Sequence, residues 1–261
     1  MKLFYREFGE GKPFVILHGL FGLGDNWNSF AREIASSGFR VVLVDLRNHG
    51  RSPHSDDWNY ALMSGDLNEL FMNLGIHDKG IVLMGHSMGG KVAMHYVLNF
   101  NNNVQKLIVV DIGPNGSKPR NEDVVNVIKN LQIDNIKSRK EANLIISKYI
   151  SDPSMVQFLL KNIYWKTVNE KEDEMLAWRF NAKAITKHIG NVYEGVSGRE
   201  CVDIDTLFIK GGNSDYLRNS EAAEIHRLFP KSEISEIENA GHWIHVNKPA
   251  EFSKRVLTFV K

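Results

Sequence analysis

Cysteine is almost missing from this chain: Cys201 stands alone among 261 residues. One thiol can form neither an intrachain disulfide nor a cysteine-ligated zinc site, so the core must hold the fold by itself. Cys201 reads as a small residue buried at a strand entrance, and so little thiol suits a reducing cytoplasm. Excess charge is missing too. With 32 Lys and Arg against 31 Asp and Glu the formal net charge is +1, which leaves no electrostatic footprint for nucleic acid. No apolar run approaches the roughly 20 residues of a membrane-spanning helix. The stretch Met1-Lys2-Leu3-Phe4-Tyr5-Arg6-Glu7 alternates and carries an early acid, unlike a secretory signal. No fixed-period repeat, low-complexity tract or metal-ligand constellation is found, and Gly19, Gly22 and Gly24 lack the G-x-G-x-x-G order of a dinucleotide site. The expectation is a cytoplasmic globular protein with no metal, cofactor, nucleic-acid partner or membrane contact. Monomer and weak homodimer are both open.

What is present is an ordinary globular balance, 43% hydrophobic and 24% charged, in a chain long enough to bury about 75% of its unfolded surface. The first 112 residues alternate strand and helix signals. Lys2–Phe8 reads as an edge strand; Phe14–Leu17, Arg40–Val44, Ile81–Met84 and Lys106–Val110 read as strands apolar on both faces, as central parallel strands are. Asn26–Ser36, Ala61–Leu74 and Met88–Asn99 carry helical spacing between them. The predicted class is α/β, a mostly parallel sheet with crossover helices. From 113 to 198 the rhythm stops. Asp123–Leu131, Lys140–Ile150 and Ser154–Ile163 have apolar residues three and four apart, and Thr167–Phe180, with its charged stretch 169–174, is a hairpin or a helix start. The β-α pattern resumes at Thr206–Ile209, with a helix near Ser220–Leu228, a strand near Glu233–Ile237 and a closing helix Pro249–Val260. The expected organisation is a core of 1–112 and 199–261 with 113–198 as a mainly helical lid forming one pocket wall.

Gly85-His86-Ser87-Met88-Gly89 is a G-x-S-x-G sequence between a short apolar strand and a helix-forming run. A serine on such a sharp turn projects its oxygen from the top of the sheet, and the flanking glycines let backbones pack close. Strand, motif and helix together make Ser87 the candidate nucleophile. Serine needs a base. Of ten histidines, His242 in Gly241-His242-Trp243 follows a short strand and precedes the last helix, at one end of the sheet; His245 is its nearest competitor. His49, His54, His77, His95, His188 and His226 read as structural or surface residues.

His18-Gly19-Leu20-Phe21-Gly22 follows the strand Phe14–Leu17. With Asp45–Ser52, Gly85–Gly90, Gly211–Ser214 and Gly241–His242, it makes nearly the whole chain resemble the α/β-hydrolase superfamily. The resemblance implies an oxyanion hole built from the backbone N–H groups of Leu20 and Met88, with Phe21 a substitute for Leu20. Each such donor is worth on the order of 3 kcal/mol. Asp45 resembles the acid of the family's Asp-x-Arg-Gly-His-Gly-x-Ser turn, a structural position, with Asn48 where glycine is usual.

Two carboxylates compete to orient His242. The family usually takes its acid from a G-x-x-D turn. Counted from Gly211 that position holds Ser214, whereas counted from Gly212 it holds Asp215. Asp111 ends the strand Lys106–Val110 in Val110-Asp111-Ile112-Gly113-Pro114 and can also reach the top of the sheet. Asn48-His49-Gly50, Gly85–Lys91, the Val110–Pro114 strand end, Gly211–Ser214 and Gly241–Trp243 resemble the YbfF-like serine esterases. That resemblance implies Asp111 as the acid and Ser214 beside the histidine; the count from Gly212 keeps Asp215 as the alternative.

The expected chemistry is therefore ester hydrolysis by Ser87, His242 and Asp111 through an acyl-enzyme, without metal or cofactor. The resemblance implies short to medium acyl esters or acyl thioesters as substrates. Phe21, Trp165, Trp178 and Trp243, with Trp27, Met88 and Phe180, are candidates to line an acyl pocket. Lys118, Arg120, Lys161 and Lys166 are basic lid residues that read as mostly solvated. A serine in place of an aspartate nucleophile argues against dehalogenase and epoxide-hydrolase chemistry. A C–C hydrolase or lyase, a perhydrolase, or a ligand-binding protein on an inactive hydrolase fold remain as alternatives.

Overall fold

The structure is a computed structural model that describes residues 1–100, 103–120, 122–167 and 174–261. The chain opens with β1 (Tyr5–Phe8), β2 (Lys12–Leu17), α1 (Asn28–Ser36), β3 (Phe39–Val44), α2 (Tyr60–Asn73), β4 (Ile81–His86), α3 (Met88–Asn99) and β5 (Val104–Val110). Next come α4 (Glu122–Asn130), α5 (Arg139–Ile146), α6 (Pro153–Leu160), β6 (Ile163–Thr167), β7 (Glu174–Trp178) and α7 (Ala182–Lys187). It closes with β8 (Asp205–Gly211), α8 (Ala222–Leu228), β9 (Ser232–Ile237), α9 (Ile244–Asn247) and α10 (Pro249–Val260).

Seven strands form one sheet in the order β1-β3-β2-β4-β5-β8-β9. Only the β1–β3 pairing in it is antiparallel; the other five are parallel. The period of two along each strand sorts side chains to two cores. Val15, Leu17, Leu83, Leu107 and Val109 meet α2, α3 and α8 on one face. Phe14, Ile16, Met84, Ile108 and Val110 meet α1 and α10 on the other. Both faces are covered, which is why these runs are apolar throughout instead of alternating.

Between β5 and β8 the chain leaves this sheet for α4 to α7 and an antiparallel β6–β7 pair, with Ile163 opposite Trp178 and Thr167 opposite Glu174. The stretch expected as a hairpin or a helix start is thus a hairpin; the connecting 168–173, most of the charged stretch, lie outside the described residues. The helix expected over Ser154–Ile163 begins one residue earlier, where Asp152 caps it ahead of Pro153, and stops at Leu160. Ile163 belongs to a strand instead. Cys201 corrects its own reading: it is exposed, because the residues ahead of β8 run over the surface and the strand starts only at Asp205. Among the described residues no helix is long and apolar enough to cross a membrane.

The parallel strands end together, and the turns after β2, β3, β4, β5 and β8 gather at one rim, where ligands of open α/β sheets bind. One close approach there is steric. A Cβ on Gly89 would stand 2.5 Å from the Leu17 carbonyl oxygen and 2.6 Å from that of His18. Gly89→Ala is expected to destabilise the fold by about 3 kcal/mol, read as a lower midpoint with unchanged slope in urea unfolding.

Candidate active site

Ser87 sits between β4 and α3 with φ 52° and ψ −119°, a backbone conformation that costs a non-glycine residue on the order of 1–3 kcal/mol. The strain is held by its own N–H on the Val110 carbonyl (2.9 Å) and by the Lys91 N–H on its carbonyl (3.1 Å). The serine borders a cavity of about 680 Å³, within the range of small-molecule sites. His242, from the turn between β9 and α9, borders the same cavity.

The carboxylate on His242 is that of Asp111. Nδ1–H of His242 donates to Asp111 Oδ2 over 2.7 Å. The Ser214 hydroxyl donates to the same oxygen, and the Gly211 N–H donates to Oδ1 over 3.0 Å. Asp111 is wholly buried. Its φ of 53°, with its N–H on the Ile209 carbonyl at 2.8 Å, bends the chain as it leaves β5. Asp215 lies elsewhere: its carboxylate is 80% exposed and pairs with Arg120, which holds it below the usual carboxylate range. One residue of register decides this, because Ser214 already occupies the place beside His242. Asp45 is structural as expected, accepting from the N–H groups of Gly24 (2.7 Å) and Arg51 (2.9 Å). Asn48 stands at φ 65°, a left-handed position that glycine and asparagine tolerate best.

Of the two expected oxyanion donors, Leu20 lies in the turn after β2 and Met88 opens α3. Among the described residues, neither the Leu20 nor the Met88 N–H meets a protein acceptor, and both residues border the cavity. The Phe21 N–H is spoken for: it donates to His49 Nε2 at 3.2 Å, so Phe21 is no substitute for Leu20. The Phe21 carbonyl accepts from Asn162 Nδ2 at 2.8 Å, and its φ of 58° points the turn between these two anchors.

Two buried histidines brace this turn. His18 donates from Nδ1 to the Gly19 carbonyl (2.8 Å) and accepts the Leu46 N–H at Nε2 (3.0 Å). His49 donates from Nδ1 to the Arg47 carbonyl (3.0 Å) while accepting from Phe21. Each therefore works only as a neutral ring. Burial pushes His18 down to about 4 and, with His18 beside it, His49 down to about 3. His245, the competitor for His242, is likewise pushed down to about 3 by burial and by His242; it stacks on Trp27 at 3.9 Å and holds no carboxylate.

Of the expected pocket aromatics, Phe21 and Trp243 border the cavity and Trp165 and Trp178 do not. Trp165 is 43% exposed on β6. Trp178 is buried against Phe180 (5.0 Å, 19° between rings), which packs on Phe21; it backs the turn instead of facing substrate space. The wall is made instead by Leu20, Met155, Phe158 and Trp243, with Phe158 and Trp243 ring centroids 5.4 Å apart. Arg120 and Lys161 also reach the cavity, whereas Lys118 and Lys166 do not. Three residues whose parts the sequence reading did not assign matter here. Asn162 is one. Lys91, fully buried, donates to the carbonyls of Pro114, Asn115 and Glu194, and burial pushes it down to about 8. Tyr216 is the third. The contacts of Asn162 and Tyr216 span 141 and 26 residues, beyond any local pattern.

A mostly parallel sheet covered on both faces, with a strained serine at a strand–helix turn sharing a cavity with a histidine bonded to a buried carboxylate, defines a serine hydrolase. The comparisons agree: the sequence profile described as alpha/beta hydrolase fold matches residues 12–249, and the chain belongs to that family. Among its relatives is the mouse (Mus musculus) "sn-1-specific diacylglycerol lipase ABHD11", 39% identical over 253 residues, covering 94% of this chain and 80% of that protein. "Esterase YbfF" of Escherichia coli (strain K12) is 32% identical over 92% of this chain and 89% of its own. A solved structure titled "Marine microorganism esterase" superposes with a TM-score of 0.93 at 38% identity, covering 99% of each chain.

The neutral histidines make acid the weak side of this fold. Between about 6.5, where an unfolded histidine titrates, and the folded values of about 4 for His18 and about 3 for His49, the unfolded chain binds protons that the folded one refuses. Stability is therefore expected to fall as pH drops below about 6.5, most steeply between that value and the folded ones. His49→Gln should shallow that slope by up to about 1.4 kcal/mol per pH unit, measured by urea unfolding at steps from pH 7 to 4.

Proposed function

We propose that this protein is a serine carboxylic-ester hydrolase acting on short to medium acyl esters or acyl thioesters. Ser87 Oγ attacks the acyl carbon while His242 Nε2 takes its proton and then delivers it to the departing alcohol or thiol. Asp111 keeps Nδ1 protonated and balances the positive charge that forms on the ring. The N–H groups of Leu20 and Met88 hold the oxyanion at each tetrahedral stage. Water, losing a proton to His242, then opens the acyl-enzyme; the carboxylic acid leaves as Ser87 regains its proton. Ser214 steadies the Asp111 carboxylate.

The observation that carries this reading is the buried Asp111 carboxylate on Nδ1 of a histidine that shares a cavity with Ser87. The apolar wall of Leu20, Phe21, Met155, Phe158 and Trp243 suits an acyl chain. The relatives named as an esterase and a diacylglycerol lipase support an ester carbonyl as the group attacked. Residues 113–198 act as a lid on a core of 1–112 and 199–261, since Arg120, Met155, Phe158 and Val192 come from that segment to the cavity wall.

Hydrolysis of p-nitrophenyl acyl esters of increasing chain length tests the reading. Ser87→Ala should lose at least about 10⁴-fold in kcat, and the optimum chain length measures the pocket. Asp111→Asn should cost about 10³- to 10⁴-fold by placing the wrong tautomer on His242, whereas Asp215→Asn should stay within about ten-fold. Ester turnover undiminished in Ser87→Ala would reject the nucleophile; the reverse ranking of the two aspartates would reject Asp111 as the acid.

A further inference from the structure

The hydrogen bond from Asp111 restrains one atom of the His242 ring and leaves the ring plane to be set by something else. The Tyr216 ring lies flat on it, with centroids 3.7 Å apart and 16° between planes. The Arg120 guanidinium lies over the same tyrosine, 4.4 Å from its centroid. Two groups that close cannot share one face of a ring, so tyrosine is the middle layer of a stack running from Arg120 to His242. The outer layer is anchored three ways. Arg120 Nη1 pairs with the Asp215 carboxylate, Nη2 donates to the Asp215 carbonyl at 3.2 Å, and the Arg120 carbonyl accepts the Tyr193 hydroxyl at 2.7 Å. Arg120 precedes α4 and Asp215 follows β8, so the stack joins two distant segments of the chain.

We propose that Tyr216 is a positioning residue that fixes the plane of the His242 ring, and that Arg120, anchored on Asp215, clamps Tyr216 in that place. The inference rests on the role given to His242 above. A flat aromatic partner stops the imidazole swinging about its Asp111 bond, so Nε2 keeps its aim. The other groups facing the imidazole are Asp111, His86 at 4.6 Å between centroids, and His245. None of these is changed in the variants below, so a shift reports on the stack.

The test is the proton NMR shift of the His242 ring resonances, assigned by their loss in His242→Gln, alongside p-nitrophenyl ester kinetics. In wild type and Tyr216→Phe these resonances should carry an upfield ring-current shift that Tyr216→Leu abolishes. Arg120→Leu, which releases the tyrosine from its clamp, should lose part of the same upfield shift. Tyr216→Leu should lower kcat about ten-fold with KM within about two-fold, and Tyr216→Phe should restore most of that loss. Unchanged His242 resonances in Tyr216→Leu, or a full upfield shift retained in Arg120→Leu, would overturn the proposal. Arg120→Leu keeps the tyrosine, so it decides the matter if Tyr216→Leu does not fold. Should wild type show no Ser87-dependent turnover, the proposed function fails while the ring-current shift still judges the stack.

Discussion

A carboxylate shut away from water must have its oxygens met by donors, because burying an unpaired charge costs several kcal/mol. Asp111 meets that demand with donors from three places: the Gly211 N–H at the end of β8, the Ser214 hydroxyl just beyond it, and the His242 ring in the turn before α9. Satisfying one buried charge thus draws the last third of the chain onto the end of β5. The left-handed backbone at Asp111 is part of the same constraint, since it turns the side chain across the top of the sheet instead of along a face.

A second layer of constraint falls on the segment between β5 and β8. Its polar ties reach each element that the mechanism uses. Its flanking carbonyls at Pro114, Asn115 and Glu194 hold Lys91 on the nucleophile helix. Asn162 holds the Phe21 carbonyl in the turn after β2, and Arg120 rests on the tyrosine stacked against His242. With each tie buried or partly buried, moving this segment would disturb the geometry of the site. Preorganised donors stabilise developing charge only when they need not reorganise, and these ties resist that reorganisation.

Neutral imidazoles are the other recurring device. His18 and His49 each accept one backbone N–H and donate to one carbonyl, a pairing that only an uncharged ring provides. They tie the turn after β2 to the turn after β3. Sequence reading treated His49 as structural, which is correct, yet its part in withholding the Phe21 N–H from substrate was invisible without coordinates.

The sequence by itself determined the doubly wound sheet, because strands buried on both faces must be apolar throughout and helices between them must be amphipathic. It also singled out Ser87, whose G-x-S-x-G setting is a steric demand of the local turn, and His242 and Asp111 as candidates at strand ends. What only tertiary structure decided lies in contacts made across the chain. Which carboxylate meets the histidine, Asp111 and not Asp215, turned on one residue of register, with Ser214 bonded to that same carboxylate. The exclusion of Trp165 and Trp178 from the cavity turned on which way a hairpin faces, and the exposure of Cys201 on where β8 begins. The parts played by Asn162, Tyr216 and Arg120 follow from neighbours that no local periodicity brings together. Backbone sterics and burial act over a few residues and leave a pattern in the sequence; hydrogen bonds and ring stacks between remote segments leave none.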